Sequence, residues 1–444
     1  VRVAFFSHRV QIPYYDYIAE YLKKTTDVRT ELWVLGEPDI SIGDAHPGFD
    51  EVVDLLEGVS FHGISEADHR DHRQWFRDLE DRLGMRFYHR DVALDRTFQQ
   101  TRLNRRDTIP VEWDSRSVAA LMHHFGRAVL GRFERLDYLG IYSETNFAPK
   151  RLAWRLAQLH EVEFFEFRPC RHWPERGYIK RELGFDWQEC RRIYDGLQKS
   201  GIGEDLRQRA AWRLDEIVEN TIRATSFHKI ERASASIIDR LDPARLLGNQ
   251  TRWLRSYLPK QKKNPNVPPP SVLSPINQVR RFQATAKSTD IYEEHFECPA
   301  NLPDKYAVYF LHVQPEATVE SMAFEYQDQV ATLRNLVSYL PADMPLLVKE
   351  HKPIAGNRPV EFYTELAHLP NVELIHDSAN SHRLIEHASV VLTLTGTVGL
   401  EAIYYGRPAV VLGDVFFNNF RGIHHPTSLP EAGQMLTNPA ELES

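Results

Sequence analysis

The chain has 444 residues, 42% hydrophobic and 26% charged, with a formal net charge of −8. That length exceeds one ordinary core and predicts two domains of a soluble globular protein; no apolar run approaches the roughly 20 residues of a membrane span, and the acidic balance argues against a nucleic-acid partner. Three cysteines, Cys170, Cys190 and Cys298, are too few and scattered for a disulfide framework or a zinc site, which fits a reducing cytoplasm.

The chain opens at Val1 without an initiator methionine, as a trimmed or fragmentary chain would, and "VRVAFF" reads as a strand rather than a signal peptide. Strands are expected at Arg2 to Phe6 and Glu31 to Leu35 with a helix at Tyr14 to Lys24 between them, then at Tyr138 to Tyr142 and Val162 to Phe167 around a helix at about Phe147 to His160. Such alternation implies a parallel sheet. Asp205 to about Leu241 is charged and helical in pattern. Pro259, Pro265, Pro268, Pro269, Pro270 and Pro275 then mark an irregular segment. In the C-terminal part, strands are expected at Tyr306 to His312, Leu346 to Lys349, Val372 to Ile375, Val390 to Leu394 and Ala409 to Leu412. Helices near Thr318 to Tyr339, Pro359 to Ala367, Ser381 to His387 and Val398 to Tyr405 separate them. The expected organisation is a domain over 1–255, a Pro-rich linker or excursion over 256–303, and a second doubly wound domain over 304–444. Basic runs at Arg102 to Arg106, at Lys260 to Lys263 and at Arg280 and Arg281 read as solvated loops, or as contacts with an anionic membrane surface.

Open α/β sheets bind ligands beyond the carboxyl ends of their strands, so the residues there are the candidates for chemistry. In "LTLTGTVGLEAIYYGRP" a buried strand breaks into Thr395, Gly396 and Thr397. It resumes as a helix whose stop is Gly406 and Pro408. With Gly399, this turn offers free N–H groups and two hydroxyls to an anion; a plain helix cap at Thr395 is the alternative. Glu401, in the helix's first turns, suits a ribose diol or simply the positive helix end. Gln314 and Glu316 follow the strand ending near His312, where a carboxylate is a base, a nucleophile or a cap. Lys349, His351 and Lys352 in "LLVKEHKP" suit a phosphate or carboxylate partner, or a structural role for the histidine. Asp414, Phe416 and Phe417 leave the last expected strand.

"VQPE", "VKEHKP", "LPNVELI" and "LTGTVGLEAIYYGRPAVVLGDVFF", in that order over about Tyr306 to Phe420, resemble the capsule polysaccharide biosynthesis family, which includes bacterial β-Kdo transferases. "EVEFFEFRPCRHWPERGYIKRELGFDW" resembles the family's N-terminal acidic segment. The resemblance implies a GT-B glycosyltransferase, two Rossmann-like domains facing across a cleft. It implies that His351 and the Thr395 to Thr397 turn hold the donor's phosphate with Gln314, Lys349 and Gly399 nearby, that Glu401 holds the ribose, and that Glu316 acts on the anomeric carbon. Glu166, or failing it Glu144, is then the acceptor-side acid or base. No motif demands a metal ion or cofactor. The expected reaction moves a sugar, with CMP-Kdo the candidate donor, to a surface glycan or its lipid-linked primer. The expected place is the cytoplasm, peripheral at the inner face of the membrane and in contact with capsule-assembly proteins. A teichoic-acid-type polyol-phosphate transferase and a catalytically silent assembly partner are the alternatives.

Overall fold

Aromatic and aliphatic runs build two separate sheets. A computed structural model describes residues 1–6, 12–35, 48–57, 59, 61, 63–95, 114–142, 147–170, 173–181, 188–212, 274–314 and 316–443. The chain divides into two compact units: Val1–Thr101, Arg106–Gly184 and Asp242–Ser274 in one, Arg102–Arg105, Phe185–Leu241 and Pro275–Ser444 in the other.

Unit 1 runs β1 (Arg2–Phe6), α1 (Ile12–Thr25), β2 (Arg29–Val34), β3 (Glu51–Asp54), α2 (Glu66–Leu83), α3 (Tyr88–Leu94), α4 (Ser115–Phe133), β4 (Tyr138–Tyr142), α5 (Ala148–Leu159), β5 (Glu163–Cys170) and β6 (Trp173–Lys180). The sheet order is β3-β2-β1-β4-β5-β6, parallel except that β6 returns antiparallel to β5. Strand residues alternate between two covers, as in a sheet buried on both faces. Ala4, Phe6 and Trp33 pack with Met122, Phe125 and Val129 of α4 and Leu152 and Leu156 of α5. Val3, Phe5, Leu32 and Val34 pack with Tyr15 and Ala19 of α1. Side-chain caps fix two helix starts: Ser65 accepts from the Asp68 N–H and Asp114 from the Ser117 N–H. The buried Asp91 of α3 accepts from Arg155 Nε at 2.9 Å and Arg151 Nε at 2.6 Å, tying α3 to α5.

Unit 2 contains α6 (Gln188–Ser200), α7 (Ser274–His295), β7 (Ala307–Phe310), α8 (Ala317–Met322), α9 (Gln329–Val337), β8 (Leu346–Lys349), α10 (Val360–Ala367), β9 (Val372–Ile375), α11 (Ser381–His387), β10 (Val390–Thr393), α12 (Val398–Tyr404), β11 (Ala409–Val411), β12 (Ile423–His424) and α13 (Leu429–Thr437). Its sheet is parallel throughout, in the order β12-β11-β10-β7-β8-β9. The order reverses between β7 and β10. This is the doubly wound Rossmann-like arrangement, whose crevice opens at that reversal. The two expected Rossmann-like α/β domains are both present.

Two expected elements differ. The single helix over 318–339 is instead α8, a 3-10 turn at Phe324–Tyr326, and α9. Ala323 leaves helical geometry at φ −133°, and Asp328 restarts the helix by accepting from the Ala331 N–H. Ser274–His295, inside the expected linker, is a helix. Its Pro275 stands in the first turn, where the missing N–H costs nothing, and Ser288 and Tyr292 are buried. The helical pattern expected from Asp205 is described over 204–212; the rest of it, the other prolines and both basic runs at 102–106 and 260–263 lie outside the described residues. Among the described residues no helix is long and apolar enough to cross a membrane.

Candidate active site at the strand reversal of unit 2

The carboxyl end of β7 is held by a side chain acting as a strand. Gln329 of α9 accepts from the His312 N–H at 2.8 Å and donates to the His312 carbonyl at 3.1 Å, so the backbone leaves the sheet without orphaned groups. Gln329 also accepts from the Tyr309 hydroxyl and donates to Gln314 Oε1. Gln314 in turn donates to the Gln327 carbonyl at 2.8 Å. Its buried amide is therefore engaged inside the unit. Glu316, two residues on, is exposed and makes no side-chain cap on α8.

His312 crosses the reversal. Its Nε2 accepts from the Leu394 N–H at 3.0 Å and lies 3.0 Å from Thr393 Oγ1, which itself accepts from the Gly396 N–H. A backbone N–H can only donate, so Nε2 is the acceptor and the imidazole is neutral. Burial, with His351 and Arg358 nearby, pushes its pKa down to about 3. Gly396 is required by this close approach, because a Cβ there would lie 2.7 Å from Thr393 Oγ1 and 3.2 Å from His312 Cε1. Gly399 faces β11, where a Cβ would meet Val411 Cγ2 at 3.0 Å. Neither threonine of the turn caps α12 by its side chain. Thr397 donates to Glu401 Oε1 at 3.1 Å. Thr395 Oγ1 is buried and has no hydrogen-bond partner among the described residues. The expected stop is found: Gly406 adopts φ +63° just after α12.

After β8 the chain spends its charges in two directions. Lys349 is buried and donates to the carbonyls of Asp377 at 3.0 Å and Glu350 at 3.3 Å. Burial lowers its pKa against the pull of Asp377 and Glu350. Glu350, 1% exposed, takes both Arg358 Nε and Nη2 at 2.8 Å, the Tyr363 hydroxyl at 2.9 Å and the His351 N–H at 2.6 Å. Arg358 Nη2 reaches on to the His312 carbonyl at 2.9 Å. His351 sits at the surface above this pair; desolvation by its surroundings lowers its pKa against Glu350, while Arg358 and Lys349 add to the lowering. The loops after β7, β8 and β10 thus form one hydrogen-bonded rim. Glu316 and His351 are exposed on these loops, and Thr395, Gly396, Thr397 and Glu401 are partly exposed.

Glu166 belongs to unit 1. It is fully buried in β5, in register with Ile141 of β4 and Lys180 of β6. Glu144 lies outside the described residues. In unit 2, Asp414 Oδ1 lies 3.3 Å from His425 Nε2, and His425 Nδ1 donates to the Val411 carbonyl at 2.8 Å. Phe417 is buried, Phe416 meets it edge-on at 5.1 Å, and Phe420 stacks on Tyr194 of α6 at 4.6 Å. This aromatic run is packing.

The hydrogen bond to Asp414 raises the His425 pKa above its ordinary 6.5, against desolvation. A raised folded-state pKa gives stability that is present below 6.5 and lost as pH climbs through the folded value. His425→Gln should remove that pH-dependent part, about 0.5 kcal/mol for so exposed a pair, in urea midpoints compared at about pH 6 and about pH 9. An unchanged pH dependence in the variant would show that other groups cause it.

Glu350, Arg358, His312, Gln329 and His425 escape sequence reading. Only "KEHK" hinted at one of them, as a carboxylate inside a basic run that ends a buried strand.

Residues 281–439, which span the whole sheet of unit 2, match the model of one family. It is the capsule polysaccharide biosynthesis protein family. The matched segment holds every candidate above except Glu166 and Glu144. Among solved structures, the chain is similar to the β-Kdo 2,7 transferase of Thermosulfurimonas dismutans KpsC, at 18% identity and TM-score 0.23, over 37% of this chain and 56% of that one. The chain thus spans about half the length of that transferase. It is also similar to UDP-GlcNAc 2-epimerase from Neisseria meningitidis bound to UDP-GlcNAc, at 11% identity and TM-score 0.24, over 99% of this chain and 91% of that one. Likenesses this distant carry no argument about activity. No curated protein matches the chain.

Proposed function

We propose that the chain is a GT-B capsule-biosynthesis glycosyltransferase that moves a sugar from a nucleotide donor, CMP-Kdo in the first instance, to a capsular or other surface glycan or its lipid-linked primer. The observation that carries this reading is the turn after β10: a buried Thr395 hydroxyl without a partner beside a glycine that admits no side chain, at the strand reversal of a capsule-biosynthesis segment. Nucleotides bind Rossmann-like sheets at that place.

In this reading the turn from Thr395 to Thr397, with Gly396 and Gly399, receives the donor phosphate. Glu401 accepts from the ribose diol, and Thr397 holds its carboxylate. When the bond from the anomeric carbon to the phosphate oxygen breaks, the electron pair stays on the nucleotide. His351 and the positive charge of Lys349 stabilise it electrostatically, and no divalent ion is assigned a part. Gln314 and its network fix the loop that presents Glu316. Glu316 stabilises the cationic sugar or forms a covalent adduct with it. The acceptor hydroxyl then attacks the anomeric carbon and gives its proton to solvent; Glu166, fully buried in β5 of unit 1, is assigned no part. Such an enzyme works in the cytoplasm, peripheral at the inner membrane face and beside capsule-assembly proteins.

Titration of CMP, CDP, UDP and GDP into the full chain, followed by calorimetry, tests the donor assignment. CMP should bind tightest, and Glu401→Ala should weaken it about tenfold or more, the worth of one charge-assisted hydrogen bond, with melting temperature unchanged. Equal CMP affinity in the variant would end the ribose assignment.

A further inference from the structure

Unit 1 carries a feature that nothing in the proposed reaction uses. Helices α2 and α4 approach closely, because Gly126 leaves room for the Trp75 ring: a Cβ there would lie 2.5 Å from Trp75 Cη2. In the seam, His72 of α2 faces His123 and His124 of α4, with ring centroids 4.6 Å apart for His72 and His123, 5.6 Å for His72 and His124, and 5.5 Å for His123 and His124. One ring nitrogen from each lies within 4.8 Å of the other two. The Nδ1 atoms of His72 and His123 are buried and have no hydrogen-bond partner among the described residues. Buried polar atoms are ordinarily satisfied, so two orphaned nitrogens in the same histidine cluster call for a ligand. Desolvation, reinforced for His72 and His123 by neighbouring histidines, lowers all three pKa values, that of His123 to about 4. Neutral imidazoles present the lone pairs a metal needs.

We propose that His72, His123 and His124 form a binding site for a divalent first-row transition ion of the zinc type. Three imidazoles are a ligand set these ions favour over calcium or magnesium, which take oxygen. Tetrahedral bonds of about 2.1 Å put ligand nitrogens about 3.4 Å apart, so side-chain rotation has to close at most about 1.4 Å. The fourth position falls to water. The ion would pin α2 to α4. Its ligands belong to unit 1 and the proposed nucleotide turn to unit 2, and loss of the ion should leave CMP affinity unchanged. The sequence shows no metal motif here because the ligands come from two helices far apart in the chain, and only their packing joins them.

The test strips the full chain with a chelator, then titrates Zn²⁺ by calorimetry and Co²⁺ by visible absorption. Wild type should take up one ion, gain melting temperature with Zn²⁺, and show the intense d–d bands of four-coordinate Co²⁺. His72→Ala and His124→Ala should each weaken uptake at least about tenfold, since even outer-sphere changes cost that much, and the double variant should lose the bands. Far-ultraviolet circular dichroism checks that each variant folds, and the wild-type titration stands whether or not they do. A stripped wild type that binds neither ion, or a folded double variant that binds as wild type does, would overturn the site.

Discussion

Glu350→Ala should lower the unfolding free energy by about 3–5 kcal/mol, the cost of stranding one member of a buried ion pair. Glu350 is 1% exposed and Arg358 is 5% exposed, and the carboxylate satisfies four donors at once, two from Arg358, one from Tyr363 and one from the His351 N–H. Without it the guanidinium keeps only the His312 carbonyl among these bonds, at 2.9 Å, with its face over Phe362 at 4.6 Å. It stays charged, since the nearby carboxylate only raises a pKa already beyond titration. Urea unfolding reads the loss. The double variant Glu350→Ala with Arg358→Leu separates charge from packing: removing both charges should recover much of the stability, because buried pairs exchange for apolar groups at little cost. A double variant as unstable as the single one would locate the damage in packing instead. The single variant should also weaken nucleotide binding, since Arg358 braces His312 and His312 braces the turn after β10.

Glu316→Gln should behave in the opposite way, sparing the fold and cutting turnover about a thousandfold or more, as the loss of a nucleophile or charge stabiliser does. Glu316 is exposed and its side chain makes no cap, so stability should move by no more than about 0.5 kcal/mol. Release of CMP from CMP-Kdo in the presence of a capsular glycan measures turnover, and CMP titration checks that binding is intact. A covalent adduct would appear as added mass on the peptide holding Glu316. Near-normal transfer by the variant removes Glu316 from the chemistry.

The parts of this fold that sequence reveals are those decided within a few residues. β10, its turn and α12 could be read from a β-branched run, two glycines and a stop at Gly406, and both Rossmann-like domains followed from such alternation. β12 is two residues long and β3 is only partly buried, so neither leaves a pattern to read. The break between α8 and α9 depends on the Asp328 cap, which competes with an apolar period that runs on through it. The rim could be named by its exposed residues, Glu316 and His351, but not by what holds them. Gln329, Arg358 and His312 meet only through contacts between separate elements, and a glutamine in a helix gives no sign that its amide will serve as backbone.

That substitution of a side chain for a strand bears on how a ligand is received. A parallel sheet ordinarily loosens at its carboxyl end, where the ladder runs out and loops begin. At β7 the ladder is extended by an amide projecting from a helix, so His312, just past the strand, is clamped on both its N–H and its carbonyl. Whatever docks at this edge meets a surface that surrendered its freedom during folding, and less of the binding energy goes into ordering it.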